Sequence, residues 1–260
     1  MEKRNGKLYL PNVTLCAMTS IYINETLKAM EYSMRGVEFG DAVLITHEQP
    51  RKMPEGIRYS HIEKIDSIDR FNYETVYNMG DHIKTDFVLL VHYDGFVVNP
   101  DMWRDEFLDY DYIGSPWPLP PEGDNVLYRD MKGNLCRVGN SVSIRSKRLL
   151  DYPKEAAIPW TDQEDASGNR WYNEDGFICC KCRHLFEEAG MRIAPLELAI
   201  YFGHENMIPE IEGKNIRPFV FHKWKGTNSV YPDFRKKHPI RKKLGAVKGY
   251  FYNRFKKDQS

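Results

Sequence analysis

Four short segments of the chain combine acidic, histidine and glycine residues in patterns that could support ligand binding or proton transfer. They are residues 92–96 (HYDGF), 138–141 (VGNS), 173–176 (NEDG) and 219–224 (FVFHKW). An aspartate that ends a strand and precedes a glycine can hold a divalent cation against the phosphates of a ligand. A carboxylate beside a bound alcohol can act as its general base, and a neutral imidazole can bind a transition metal.

Each segment, taken alone, also has a purely structural interpretation. Asp94 could cap a turn in which Gly95 supplies a positive φ, and residues 138–141 could form an ordinary turn. The carboxylates of residues 173–176 could cap the start of a helix, where the helix dipole stabilises negative charge. His222 could be a core histidine whose hydrogen bonds are satisfied inside the protein. The order of the segments along the chain is therefore more informative than any one of them.

The first hundred residues predict the framework that positions these segments. Unbroken apolar runs predict buried strands at residues 13–18, 42–46 and 87–91, and the mixed stretch at residues 57–65 (IRYSHIEKI) predicts a further strand. Apolar residues at helical spacing predict a helix that begins at Asn24 and stops at Gly40, and another around residues 73–83. Strands that alternate with helices predict an α/β fold with a mostly parallel sheet flanked by helices. Ligands in such folds bind at the carboxyl ends of the strands, where Asp94 falls.

The second half of the chain is less regular. Residues 116–125 contain four prolines and predict a loop, and residues 139–150 predict a turn, a short strand and a helix start. Residues 176–189 predict a helix that ends at Gly190. Residues 192–202 predict a strand-like stretch.

The composition is that of an ordinary globular protein and excludes several classes. Lys plus Arg and Asp plus Glu both number 37, and this zero net charge argues against a protein that wraps nucleic acid. Neither a signal peptide nor an apolar run of about 18 residues is evident, so we expect a cytoplasmic location. Five cysteines favour free thiols over a disulfide framework. The group Cys179, Cys180, Cys182 and His184 lacks zinc-site spacing, and we expect these cysteines to be buried.

The charge is unevenly distributed, which separates a tail from the body. Residues 232–260 contain ten Lys and Arg against two Asp, a net charge of +8, and the body therefore carries −8. Because no repeat or linker divides the body, we expect one domain over residues 1–231. The tail interleaves basic with apolar residues at helical spacing, so it could lie on an anionic membrane surface. A solvated tail is the alternative.

The four segments in this order, together with residues 110–117 (YDYIGSPW), carry a resemblance to a known superfamily. Over residues 10–225 the chain resembles the GT-A glycosyltransferases, and it looks closest to a bacterial group encoded with surface-polysaccharide genes. The resemblance implies a single Rossmann-like GT-A domain followed by the basic extension. It also implies a metal-binding Asp motif, a glycine-rich loop, a Glu–Asp motif that holds the base, and a C-terminal metal-binding His.

The resemblance implies a role for each matching residue. Asp175 would be the general base, and Glu174 would bind the acceptor or the donor sugar. Asp94, His222 and His92 would hold a divalent cation, Mn²⁺ or Mg²⁺, although His92 stands where relatives carry the first acid of an Asp-x-Asp motif. The residues that would contact the donor are Thr19, Ser20, Asp94, Gly95, Asp111, Gly139 and Asn140, and those that would contact the acceptor are Trp117 and Trp171.

A literal Asp-x-Asp also exists at residues 109–111. It follows an acidic stretch and not a long buried strand, which favours a structural role. The alternative is that Asp111 faces the donor.

These roles imply a glycosyltransferase that moves a sugar from a nucleotide-sugar donor to a surface-glycan hydroxyl, as in lipopolysaccharide or capsule synthesis. A base at Asp175 opposite the leaving group would invert the anomeric carbon, and a retaining route is the alternative if Asp175 does not lie there. The acceptor would be a glycan or polyprenol-linked glycan at the cytoplasmic face of the membrane, and no nucleic-acid partner is expected. Two alternatives stay open. A sugar-phosphate nucleotidyltransferase would carry a Gly-rich basic signature where this chain has residues 19–22 (TSIY). A non-catalytic glycan- or nucleotide-binding protein on the same fold would bind without turnover.

Overall fold

The computed structural model of the chain describes residues 2–160, 173–222 and 230–235. Trp171, predicted to contact the acceptor, lies outside these residues, and so does the basic tail beyond Arg235. The roles assigned to them therefore stay predictions.

The centre of the fold is a seven-stranded sheet. The described strands are β1 (Lys3–Arg4), β2 (Lys7–Met18), β3 (Val37–Thr46), β4 (Arg58–His61), β5 (Phe87–Leu90), β6 (Gly95–Val97), β7 (Tyr112–Pro116), β8 (Val138–Ser146), β9 (Gly203–His204) and β10 (Val220–His222). The central sheet has the order β4-β3-β2-β5-β8-β7, with β1 also paired to β2. β2, β3, β4 and β5 run parallel, and β8 runs antiparallel to both β5 and β7. This mostly parallel sheet confirms the predicted fold class.

The inner strands are unbroken apolar runs because both faces of the sheet are covered. Leu15 and Ala17 of β2 pack into one hydrophobic cluster, whereas Cys16 and Met18 pack into another. Since successive side chains of a strand point to opposite faces, the two clusters lie on opposite sides of the sheet. The predicted strands at residues 13–18 and 42–46 are the carboxyl halves of β2 and β3.

Helices cover the sheet and lead into the polar segments. They are α1 (Ile23–Met34), α2 (Ile68–Tyr73), α3 (Lys147–Glu155), α4 (Glu174–Gly176), α5 (Arg183–Glu188) and α6 (Leu196–Phe202). Two π-helical segments, Glu74–Asn78 and Phe177–Lys181, continue α2 and α4. Turns of 3₁₀-helix cover Met79–His82, Pro100–Met102 and Asp105–Asp109.

Three predictions of local structure are wrong. α1 begins after Tyr22, not at Asn24, and ends at Met34. Gly40 does not stop this helix but lies within β3, where the backbone of β2 approaches too closely for a side chain. Residues 192–202 are not strand-like, because Leu196–Phe202 form α6 with one buried face.

A second, three-stranded sheet brings two of the polar segments together. β10 pairs antiparallel with β6, which places His222 opposite Gly95, and it pairs parallel with β9. A Cβ on Gly95 would lie 2.8 Å from His222 Cδ2 and 2.5 Å from Val142 Cγ2. The absence of a side chain at Gly95 therefore allows the His222 ring to approach β6.

The cysteines agree with a further expectation, and the helices can be examined for membrane spans. All five cysteines are buried and free. Within residues 2–160, 173–222 and 230–235, no helix combines the length and apolar character needed to cross a bilayer.

Replacing Gly40 by alanine is expected to destabilise the fold strongly. The new methyl group would lie 1.8 Å from the Pro11 carbonyl oxygen, so β2 and β3 would have to separate at their irregular pairing. We expect the free energy of unfolding, measured in urea, to fall by about 3 kcal/mol or more.

Gly133→Ala is the control for this variant. It adds the same methyl group, but nothing lies within 4 Å and only the φ of 82° is unfavourable. This conformation costs an alanine about 1–2 kcal/mol. Equal losses for the two variants would contradict the steric argument.

Candidate active site

A cleft of about 590 Å³ lies at the carboxyl ends of β2 and β5. Eight of the residues predicted to act in a site line it: Thr19, Ser20, His92, Asp94, Asn140, Glu174, Asp175 and His222. They come from five separate stretches of chain, which the two sheets and α4 bring to one place. The cleft is therefore the candidate active site.

One group in the cleft is a row of charges formed by Asp94, His222 and Glu205. Nε2 of His222 lies 3.6 Å from Asp94 Oδ1, and Nδ1 lies 3.2 Å from Glu205 Oε1. Burial alone would lower the pKa of His222, but hydrogen bonds and charge interactions with Asp94 and Glu205 outweigh it and raise the pKa to about 9. Burial would raise the pKa of Asp94, but contact with His222 holds it below its usual value. At neutral pH His222 is therefore a cation in contact with the acidic side chains of Asp94 and Glu205.

His92 lies beside this row and is uncharged. Burial and the His222 cation lower the pKa of His92 to about 4. Its Nε2 lies 2.8 Å from Ser141 Oγ, and its ring centroid lies 5.6 Å from that of His222. The imidazole is thus held by a hydroxyl group and not by a carboxylate.

The predicted metal ligands do not form a preassembled metal centre. Among the described residues, no group of three His, Cys, Asp or Glu side chains could hold a metal ion. His92 is engaged with Ser141 and does not complete a site with Asp94 and His222. These two side chains fit a divalent cation only if phosphate oxygens of a bound ligand complete its coordination, as is common for Mg²⁺.

Asn140 links this charged row to the predicted base. It is 2% exposed and has a φ of 81°, in the left-handed region. Its backbone N–H donates to Asp175 Oδ2 at 3.0 Å, and its Oδ1 lies 3.1 Å from His222 Nδ1. The same Oδ1 accepts from the Val142 N–H, and the Tyr112 hydroxyl donates to the Asn140 carbonyl. Asn140 therefore contacts both Asp175 and His222 and lies between them in space.

Asp175 is a half-buried carboxylate with a raised pKa. Its Oδ1 also accepts a hydrogen bond from the Gly176 N–H at 2.8 Å, which fixes the carboxylate at the start of α4. Burial and the charge of Glu174 raise the pKa of Asp175 to about 7, although backbone hydrogen bonds and Arg145 act in the opposite direction. A carboxylate with a pKa near neutrality can take a proton from an alcohol and release it again at physiological pH.

Glu174 forms a buried ion pair below Asp175. Arg145 of β8 is 0% exposed, and its Nη2 donates to Glu174 Oε1 at 3.1 Å. Its Nε donates to Ser143 Oγ at 2.9 Å, and its guanidinium lies 5.4 Å from the centroid of the Tyr112 ring. Since a buried charge needs a partner, Arg145 and Glu174 fix each other's position.

Asp111 does not line the cleft. Its carboxylate accepts hydrogen bonds from Ser146 Oγ at 2.6 Å, Arg148 Nε at 2.6 Å and the Arg192 backbone N–H at 2.9 Å. These contacts tie β7, β8 and the segment after α5 together. The structural interpretation of Asp111 fits this placement, and we do not retain Asp111 as a donor contact.

Gly139 and Trp117 also lie outside the cleft. A Cβ on Gly139 would lie 1.9 Å from Trp117 Cζ2, so the indole occupies the space that a side chain would need. Trp117 is 5% exposed and stacks on Tyr128, with ring centroids 4.8 Å apart. We therefore assign both residues to packing beneath the site. Gly95, beside the cleft, acts by admitting His222.

Sequence reasoning missed several residues that border the cleft. Glu205 follows β9 and Asn72 lies in α2, and neither belongs to a recognisable motif. Residues 65–68 form the rim opposite the turn after β2, where Ser20 Oγ accepts from the Ile65 N–H. Ser141 also lines the cleft, and its place directly after Gly139 and Asn140 in the sequence could have identified it.

Comparisons with known proteins agree with this fold. A family model described as "Protein of unknown function (DUF5672)" matches residues 58–222. A structure of the galactosyltransferase LgtC in complex with donor and acceptor sugar analogues is 12% identical, with a TM-score of 0.50 over 88% of this chain and 93% of that chain. The chain thus has a GT-A-like glycosyltransferase fold.

Two further structures are also similar. An active-site mutant of LgtC is 12% identical, with a TM-score of 0.46 over 90% of this chain and 95% of that chain. The apo form of the glycosyltransferase GlyE from Streptococcus pneumoniae TIGR4 is 12% identical, with a TM-score of 0.42 over 85% of this chain and 56% of that chain. No curated protein sequence matches the chain significantly.

The raised pKa of Asp175 predicts a pH-dependent difference in stability between the wild type and Asp175→Asn. An aspartate in an unfolded chain has a pKa of about 3.9. Because the folded-state pKa is higher, about 7, stability from this group is lost as the pH rises between the two values. Asparagine does not titrate, so the melting temperature of the wild type relative to the variant should fall by several degrees between about pH 5 and about pH 8.

Circular dichroism at a series of pH values measures this difference. The constant offset caused by altered hydrogen bonds at residue 175 cancels in the comparison. Glu188→Gln, at an exposed acid outside the cleft, is the control and should show no such trend. A difference that does not vary with pH would contradict the raised pKa of Asp175.

Proposed function

We propose that this chain, which belongs to the DUF5672 family, is a glycosyltransferase that moves a sugar from a nucleotide-sugar donor to an acceptor hydroxyl. The observation that carries the proposal is the Asp175–Asn140–His222 connection in the cleft of a GT-A-like fold. It brings a carboxylate with a pKa near neutrality close to a charged row that could hold a cation against a diphosphate. LgtC was solved with donor and acceptor sugar analogues, and we extend these two ligand classes to this chain.

The donor diphosphate would lie against Asp94 and His222. The imidazolium of His222 would attract the phosphate oxygens and stabilise the negative charge that develops on the leaving group. Asp94 and the phosphate oxygens would hold Mn²⁺ or Mg²⁺, and His222 would join them only as the neutral imidazole, because an imidazolium has no lone pair for a metal. When bound there, such an ion supplies further neutralisation of the leaving group. Thr19 and Ser20, at the end of β2, would contact the nucleotide.

Asp175 would be the base. An acceptor hydroxyl has a pKa far above 7 and needs a base within hydrogen-bond reach. Its O–H bond breaks as the proton moves to Asp175, and its oxygen forms the new bond to the anomeric carbon. The bond from that carbon to the phosphate oxygen breaks, and the nucleoside diphosphate leaves with the electron pair. Direct displacement of this kind inverts the anomeric centre.

The acceptor would approach along a side groove of about 410 Å³ that shares Asp66 and Ser67 with the cleft. Tyr73 and Trp160 also line this groove, and their rings lie 6.1 Å apart in an edge-to-face arrangement. Aromatic faces of this kind pack well against the apolar faces of sugars. Trp160 thus takes the role in the proposal that the sequence assigned to Trp117.

We also propose that the acceptor is a surface glycan bound near a membrane. Arg235, the last described residue, lies over the Tyr93 ring at 5.7 Å, and Tyr93 borders the cleft. Arg235, a basic residue of the tail segment, therefore lies at the edge of the cleft. The charge of the basic tail would attract an anionic membrane surface that carries a polyprenol-linked acceptor.

Nucleotide binding is the first expected outcome. In a panel of UDP, GDP, CMP and their common sugar conjugates, with and without Mn²⁺, one nucleotide family should raise the melting temperature. A ligand at 100 times its Kd stabilises the folded state by about 2.7 kcal/mol, which is several degrees. Asp94→Asn should lose the part of the melting-temperature rise that depends on Mn²⁺, whereas Glu188→Gln should show the same rise as the wild type. No shift with any nucleotide would refute the donor site.

Turnover is the second expected outcome. Asp175→Asn should lower the rate of nucleoside diphosphate release by about 10²–10⁴-fold while nucleotide binding persists. In the wild type, kcat/KM should rise with pH and level off above about pH 7, because Asp175 must be deprotonated to act. Binding without release, unchanged by Asp175→Asn, would favour the non-catalytic alternative.

A further inference from the structure

Asn72 presents a buried hydrogen-bond donor that no described residue accepts. It lies in α2, is 0% exposed and borders the cleft. Its Oδ1 accepts a hydrogen bond from the Glu174 backbone N–H at 3.3 Å. The other end of the side-chain amide is the donor Nδ2. Nδ2 has no hydrogen-bond partner among residues 2–160, 173–222 and 230–235. Because buried polar groups nearly always have partners, a ligand in the cleft is a natural acceptor for this group.

The neighbouring carboxylate of Glu174 can accept further hydrogen bonds. Its Oε1 accepts from Arg145 Nη2, but a carboxylate can accept about four hydrogen bonds. Glu174 borders the cleft although it is only 3% exposed, so it lies at the floor. Nη1 of Arg145 also lacks a partner within the described part of the chain. This cluster thus has more hydrogen-bonding groups than the described protein satisfies.

We infer that Asn72 and Glu174 bind two neighbouring hydroxyl groups of the sugar that is transferred, an inference that rests on the proposed function. A sugar hydroxyl can both donate and accept. One hydroxyl accepts from Asn72 Nδ2, and its neighbour donates to a Glu174 oxygen. The hydrogen bond between Asn72 Oδ1 and the Glu174 N–H fixes the spacing of the two groups. A rigid donor–acceptor pair of this kind suits two adjacent hydroxyls of a pyranose ring.

The position of the pair favours the donor sugar over the acceptor. Glu174 directly precedes the base Asp175 and is the more deeply buried of the two. The floor of a cleft is reached by the ligand that is enclosed, whereas an acceptor glycan must extend from its reacting hydroxyl into solvent. Asn72 also belongs to the segment after residues 65–68, which form the rim facing Thr19 and Ser20. The transferred sugar would therefore lie between the nucleotide and Asp175.

This assignment makes Asn72 a specificity-determining residue. A site built to hydrogen-bond a hydroxyl discriminates strongly against an analogue without it, because buried polar groups are then left unpaired. The donor sugar should accordingly carry free neighbouring hydroxyls at the positions facing Asn72 and Glu174. A donor deoxygenated at either position should bind more weakly.

The experiment compares the affinity of a nucleotide-sugar with that of its bare nucleoside diphosphate by calorimetry. The probe is the pair from the UDP and GDP panel that stabilises the wild type most. Asn72→Ala should leave the affinity for the bare diphosphate unchanged and weaken the sugar conjugate by about 10-fold, the effect of one lost hydrogen bond. Asn72→Asp keeps the acceptor for the Glu174 N–H and removes the amide donor, so it tests the same loss if the alanine variant fails to fold.

Asn78→Ala is the matched control. Asn78 lies in the adjoining π-helical segment, outside the cleft lining, and its Nδ2 already donates to Glu74 Oε2 at 2.7 Å. This variant should bind both ligands as the wild type does. If the Asn72 variants lose no affinity for the sugar conjugate, or lose equal affinity for both ligands, the inference is overturned while the proposed function stands. If no nucleotide binds the wild type at all, both fail together.

Discussion

The site depends on the conformation of one buried residue, Asn140. Its left-handed backbone turns the N–H towards Asp175 while its side-chain oxygen faces His222. Such a conformation is unfavourable for a residue with a side chain and persists only where its surroundings impose it. Here four hydrogen bonds impose it, including those from Tyr112 and Val142. Three segments that are distant in sequence are thereby held in a fixed arrangement.

The charges around Asn140 form two groups of ion pairs. On one side, His222 lies between two carboxylates, and on the other, Arg145 pairs with Glu174 inside the protein. Asp175 lies between these groups without a cation in direct contact within the described residues, which is why burial dominates its pKa. Its neighbour Glu174, paired to Arg145, contributes repulsion and not compensation. Glu174 is therefore held in an ion pair with Arg145, whereas the adjacent Asp175 has a pKa near neutrality.

The sequence predicted those parts of the molecule that local pattern determines. Apolar runs identified the parallel strands β2, β3 and β5, because strands covered on both faces have no alternation to obscure them. Asp94 and His222 were found because each ends or interrupts an apolar run, and Asp175 was found because an acidic pair precedes a predicted helix. Glu205 and Asn72 were not, because their roles arise only from β9 lying beside β10 and α2 lying beside α4. The YDYIGSPW phrase carries the family resemblance, but residues 110–117 do not line the cleft, so a recognisable phrase did not coincide with the candidate site.

The π-helical segments after α2 and α4 have a consequence for the history of the chain. A π-helical turn holds one residue more than an α-helical turn, and such turns occur often at functional sites. Glu74–Asn78 follows Asn72, and Phe177–Lys181 follows Asp175, so both distortions flank cleft residues. Each is the expected result of a single-residue insertion into an ordinary helix. Relatives that lack either insertion would differ from this chain by one-residue gaps at these places, and in such relatives the helix would present a different set of side chains to the cleft.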